Sequence, residues 1–104
     1  MGQKLIIAPS ARSDLHDIVQ EIARDAPGRA VKFGDALLDR AQQAADFPRS
    51  GRVVPEFGRD DLRELIHDPI RIIYRVRQEV IEVVRFWHAK RGTPEPKDHP
   101  SSAS

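Results

Sequence analysis

Four side chains in this sequence are of the types needed for acid–base chemistry at a phosphodiester: Glu56, Arg71, His88 and Arg91. A carboxylate can take the proton of a ribose 2′-hydroxyl, a guanidinium can clamp the phosphate, and an imidazole can return a proton to the leaving oxygen. Each also has a plainer role open to it. Glu56 suits a solvated loop carboxylate. Arg71, with Arg75 and Arg77, suits a strand face paired with Glu64, Glu79 or Glu82. His88 suits an ordinary strand end, and Trp87 reads as a packing or interface residue rather than a platform for stacked bases.

Other chemistries lack their parts. There is no GxGxxG, P-loop or HExxH, and His16, His67, His88 and His99 have no metal-ligand spacing. The chain has no cysteine, which removes thiolate catalysis and Cys-based zinc, while Ser10 and Ser13 fit helix capping better than nucleophilic attack. The expectation is a protein with no metal, no cofactor and no small-molecule substrate. No apolar run approaches the ~18 residues of a membrane span, and Met1–Ala8 lacks the pattern of a signal peptide. A cytoplasmic protein without membrane contact is therefore expected.

At 104 residues and 11.8 kDa the chain has room for one core, so any site should be a surface patch rather than a deep cavity. The net charge of +1 falls far short of what non-specific nucleic-acid coating requires. Its distribution is uneven. Between Phe47 and Arg91, Arg49, Arg52, Arg59, Arg63, Arg71, Arg75, Arg77, Arg85, Lys90 and Arg91 outnumber Glu56, Asp60, Asp61, Glu64, Asp68, Glu79 and Glu82, whereas the segment up to Asp46 is balanced or slightly acidic.

The elements that must position these residues follow from periodicity. Lys4–Ala8 reads as a strand closed by Pro9-Ser10, with Ser10 as the N-cap of a helix carrying Ala11, Leu15, Ile18, Val19, Ile22 and Ala23 on one side. Asp25-Ala26-Pro27-Gly28 starts a second helix, capped by Asp25, which runs to about Asp46. After a long loop with a brief strand at Val53-Val54 come three alternating segments, 62–67, 70–77 and 80–88, forming an antiparallel meander. The fold class is α+β: an N-terminal strand and an antiparallel helical hairpin on one face of an antiparallel sheet, in the order β-α-α-β-β-β. Leu15, Ile18, Ile22, Phe33, Leu37 and Leu38 should pack on Ile72, Tyr74 and Val76, leaving the arginine-bearing sheet face open. Residues 1–91 form the single domain, and residues 92–104, with three prolines and no large apolar side chain, read as a disordered tail that adds little stability.

Several phrases together resemble the RelE/ParE superfamily of bacterial type II toxins: Pro9–Ile18, the loop Phe47–Glu56, Leu62–Leu65, Ile70–Val76 and Val83–Arg91. The resemblance spans about residues 4 to 91. It implies a plasmid-stabilisation type of toxin held inactive by a cognate antitoxin, expected to be of the ribbon-helix-helix kind, in a hetero-oligomer. RelE-like members cut mRNA on the ribosome, and their catalytic Glu, Arg and His match Glu56, Arg71 and His88. ParE-like members inhibit DNA gyrase; for that branch the expected target-binding residues are Arg63, Arg75, Trp87 and Arg91. Ala89 replaces the aromatic or polar group that often follows the nuclease histidine, and Lys90 is the only lysine between Phe47 and Arg91. Weak positive charge also suits docking on ribosomal RNA poorly. The ParE-like branch, with gyrase as target, is favoured over the ribosome-dependent nuclease; a purely structural partner in a complex is a third reading.

Overall fold

The computed structural model describes residues 2–95. Its elements are β1 (Lys4–Ile7), α1 (Pro9–Ala23), α2 (Pro27–Asp46), β2 (Arg52–Val53), β3 (Leu62–His67), β4 (Ile70–Arg77), β5 (Val80–His88) and a short 3-10 turn over Ala89–Arg91. The α+β arrangement is the expected one, with the helical hairpin on one sheet face. Strand order is β1-β5-β4-β3-β2, and only β1 runs parallel to its neighbour, β5.

Both helices begin with proline in the first turn, where a missing N–H costs nothing. The cap positions are Ala8 and Ala26, so neither Ser10 nor Asp25 acts as the expected N-cap; the fixed φ of Pro9 and Pro27 starts each helix before a polar side chain can reach back. Along α2, Ala30, Gly34, Leu37, Ala41, Ala44 and Ala45 are buried. These small residues let the helix lie close to its neighbours, and a Cβ on Gly34 would come within 3.1 Å of the Val19 side chain on α1. Leu37, Ile70, Ile72, Tyr74, Ile81, Val83 and Phe86 form the core between helices and sheet, with Leu15, Ile18, Phe33 and Val76 packed against it. Leu38 is a correction: it is 39% exposed, because Leu37 takes the inward position.

A bulge interrupts β5. Ile73 pairs with Arg85 and Tyr74 with Val83, so Val84 is the extra residue. It occurs where β1 ends: Ala8 N–H still donates to the Val83 carbonyl, but beyond that point α1 replaces the strand. Asp14 of α1 accepts the Phe86 N–H at 3.1 Å and binds the Arg85 guanidinium through both oxygens at 2.7 Å. Helix and sheet edge are thereby joined by a side chain that periodicity places on the polar face of α1.

The second sheet face is not fully open, contrary to expectation. Val54 and Phe57 of the loop fold over Leu62, Ile73, Val84 and Trp87. The chain from Gly92 to Glu95 also returns to this face. Trp87 Nε1 donates to the Gly92 carbonyl at 3.1 Å, Arg85 donates to the Glu95 carbonyl at 3.3 Å, and Pro94 is buried. The composition of this stretch hides its docking, because the anchors are a tryptophan and an arginine on β5. The rest of the expected disordered tail, 96–104, lies outside the described residues.

Leu37→Ala should cost on the order of 2–5 kcal/mol in denaturant unfolding, the usual range for truncating a fully buried leucine. Ending the chain at Arg91 should lower the thermal midpoint and shift Trp87 emission to the red, since indole and Pro94 lose their mutual cover.

Candidate functional site

Strand alternation sorts the candidate residues by face. In β4, Ile70, Ile72 and Tyr74 point into the helix-side core, and Arg71, Ile73 and Arg75 to the other face. Across the ladder Arg71 pairs with Trp87, while Ile70 pairs with His88. Arg71 and His88 therefore project from opposite faces of the sheet. Glu56 and Arg71 share a recess of about 370 Å³ with Arg52, Pro55 and Ile66. His88 and Arg91 instead border a groove of about 570 Å³ on the helix side.

Glu56 does meet Arg71. The loop carboxylate accepts from Arg71 Nη1 and Nη2 at 2.9 and 2.8 Å, and Arg71 Nε donates to Glu64 at 2.6 Å. Glu64, wholly buried, also receives Arg52 Nε at 2.7 Å. The result is a four-member network in which every guanidinium nitrogen of Arg71 already has a carboxylate. Bidentate hydrogen bonding from Arg71 lowers the Glu56 carboxyl from its ordinary 4.5 to about 2. A carboxylate so acidic is a weak base, and an arginine neutralised by two carboxylates has little charge left for a phosphate.

His88 is engaged locally. Its Nδ1 accepts the Lys90 N–H at 3.1 Å and caps the 3-10 turn. The other expected site residues are tied down as well. Arg63 is buried on the helix side, where its guanidinium binds the Gly51 and Asp60 carbonyls and the Asp60 carboxylate. Arg49 and then Arg63 hold that carboxylate below its usual range. Beside it, Tyr74 donates to the Pro48 carbonyl at 2.7 Å and accepts from Gly51 N–H at 3.0 Å, and burial raises its phenol pKa. A Cβ on Gly51 would sit 2.4 Å from the Tyr74 hydroxyl, so only glycine fits there. Trp87 is 3% exposed and lies under Arg85 and Arg91, whose guanidinium carbons stand 4.8 and 4.3 Å from the ring centre.

As exposed anchors, Arg63 and Trp87 are thus corrected: one pins the loop 48–60 and the other carries the returning chain. Arg75 is partly exposed and contacts Glu82 at 3.5 Å, with Arg77 at 2.9 Å from the same carboxylate. Cross-strand pairing with Glu64 and Glu82 accounts for all three arginines of β4. Arg91 remains exposed. Asp14 is the residue that sequence reasoning passed over, and no pattern within α1 signals its partner on β5.

The Glu56 pair gives a pH test. Its folded pKa lies below the unfolded value, so its contribution is complete above about pH 4.5 and disappears as pH falls toward about 2. Wild-type thermal midpoints should drop through that window more steeply than those of Glu56→Gln, which has no proton to gain.

Comparison with known proteins places this geometry. The chain matches, over residues 5–92, the family described as ParE toxin of type II toxin-antitoxin system, parDE. No curated protein sequence matches it significantly. Among solved structures it is similar to a chain of the chromosomal ParDE toxin–antitoxin system from P. aeruginosa, with a TM-score of 0.71 and 19% identity over 83% of this chain and 95% of that one. It is also similar to a chain of the toxin–antitoxin complex RelBE2 from Mycobacterium tuberculosis, with a TM-score of 0.61 and 19% identity over 85% of this chain and 92% of that one. These structures share the fold; the family match covers nearly all the described residues, and the chain accordingly belongs to the ParE toxins of type II toxin–antitoxin systems.

Proposed function

We propose that this toxin arrests growth by binding DNA gyrase as a protein inhibitor, and that a cognate antitoxin, of ribbon-helix-helix type, neutralises it. The observation that carries the first part is the ladder register: Arg71 opposite Trp87 and Ile70 opposite His88. A nuclease needs base, clamp and acid around one phosphodiester, within hydrogen-bond reach of the reacting atoms. Here the sheet separates His88 from Glu56 and Arg71, and the latter two neutralise each other. The ribosome-dependent nuclease is the second reading.

An inhibitor that binds a protein needs exposed anchors on a rigid frame rather than free acids and bases. Arg91 and Arg75 are the candidate anchors, with Trp87 lying beneath Arg91. The absence of any helix long and apolar enough to cross a membrane among the described residues suits action on a soluble target. In this reading the cytoplasm is the site of action.

Expression alone should stop growth, with filamentation and a DNA-damage response rather than immediate translation arrest. Glu56→Ala and His88→Ala should remain largely toxic, whereas Arg91→Glu should reduce toxicity at least tenfold in the inducer needed for arrest. Messages cut within codons, together with roughly hundredfold loss of cleavage in the Glu56 or His88 variants, would overturn the gyrase reading in favour of the nuclease.

A further inference from the structure

A buried indole N–H needs an acceptor, and the carbonyls of a central strand are committed to its ladder. Trp87, 3% exposed, finds its acceptor in a segment that belongs to no helix or strand: Nε1 donates to the Gly92 carbonyl at 3.1 Å. Three residues further on, the Glu95 carbonyl accepts from Arg85 at 3.3 Å. Pro94, between these two acceptors, is buried, whereas Gly92, Thr93 and Glu95 are exposed. The segment is therefore held by two main-chain carbonyls and one proline ring. The guanidiniums of Arg85 and Arg91 lie over the indole ring, and its N–H edge is what the returning chain takes.

We propose that Trp87 and Arg85 form a docking site for an extended, proline-bearing segment of a partner protein, and that Gly92–Glu95 is a ligand of this kind supplied by the chain itself. What already sits in the site selects the occupant. It must offer one carbonyl two residues before a proline to the indole, and another, one residue after that proline, to the guanidinium. Thr93 and Glu95 keep their side chains exposed, so the site reads main chain and proline rather than the residues beside it. Proline suits such a place: it holds an extended backbone before binding and has no N–H for burial to leave unpaired. The site needs neither gyrase nor antitoxin as its partner and stands apart from the function proposed above.

Gly92 decides whether the site is filled from within. It follows the 3-10 turn of Ala89–Arg91 with φ 81° and ψ −144°, a conformation open to glycine and strained for other residues, and it turns the next residues back over the sheet. A Cβ at this position would meet no atom within 4 Å, so alanine would redirect the segment without a clash. A tethered ligand acts at high effective concentration, and a partner's segment must outcompete it.

The test uses the full-length chain and the hexapeptide Gly-Thr-Pro-Glu-Pro-Lys, which copies residues 92–97. With a single tryptophan, the protein gives one indole N–H resonance in a nitrogen–proton correlation spectrum. Gly92→Ala and Pro94→Ser should each move that resonance and raise acrylamide quenching of Trp87, with circular dichroism unchanged. Adding the hexapeptide to either variant should return the resonance toward its wild-type position and saturate. By anisotropy of a fluorescein-labelled peptide, the wild-type chain should bind about tenfold more weakly than Gly92→Ala, because its own segment competes. A peptide with serine in place of its first proline should lose about as much affinity. An indole resonance unmoved in both variants, no binding by either, or a serine peptide that binds as well as the original would overturn the site.

Discussion

A carboxylate without solvent exposure, that of Glu64, sets the terms for one face of this protein. A lone buried carboxylate is costly, by several kcal/mol even after the surroundings relax, so its neighbours must neutralise it and satisfy its lone pairs. Arg52 does so from the adjoining edge strand and Arg71 from the other side. Arg71 then has two nitrogens turned toward the loop, and Glu56 closes on them. Loop, edge strand and central strand are fixed relative to one another by this chain of charge. The apolar lid of Val54 and Phe57 over Trp87 and Ile73 follows from it. The same arrangement that completes the fold leaves the most obvious catalytic pair with no spare chemistry.

Asp14 serves the opposite edge in a different way. Where β1 stops, β5 would present an unsatisfied N–H and an arginine to the flank of α1; one helix carboxylate accepts both. The bulge at Val84 allows this, because it leaves Val84 and Arg85 together opposite Ile73 while Phe86 returns to the core. Arg85 can then bind Asp14, lie on Trp87 and hold the Glu95 carbonyl at once. The region near His88 and Arg91 is therefore built beside a junction in which one carboxylate ties the helical layer to the sheet.

Most of the architecture was legible because periodicity is a local signal. The alternation of Ile70, Ile72 and Tyr74 with Arg71 and Arg75 gives the faces of β4, and Pro27 marks the start of α2, whereas Pro9, which reads as the close of the first strand, opens α1. The pairing of the β4 arginines with Glu64 and Glu82 was also readable, since cross-strand partners follow from the meander. What could not be read were relations across long separations. Nothing around Asp14 points to Arg85, nothing in Gly92–Glu95 points to Trp87, and the register that separates Arg71 from His88 depends on which residues face each other. The side-chain types of Glu56, Arg71, His88 and Arg91 are readable from the sequence; the separation of Arg71 from His88 on two faces is a property of the assembled sheet.

The position of β1 has a further consequence, for the order in which the molecule comes into being. The first strand made pairs only with the last, Lys4 with Val80 and Ile7 with Val83. During synthesis the N-terminal segment must wait, with its apolar residues unpaired, until nearly the whole domain has left the ribosome. Closing so long a loop is slow compared with forming the helical hairpin, which needs only near neighbours. A partly translated chain therefore lacks the Ala8–Val83 bond and the Asp14 junction that follow from this pairing. In this topology the completed surface forms only after nearly the whole domain has been synthesised, because its first and last strands are neighbours.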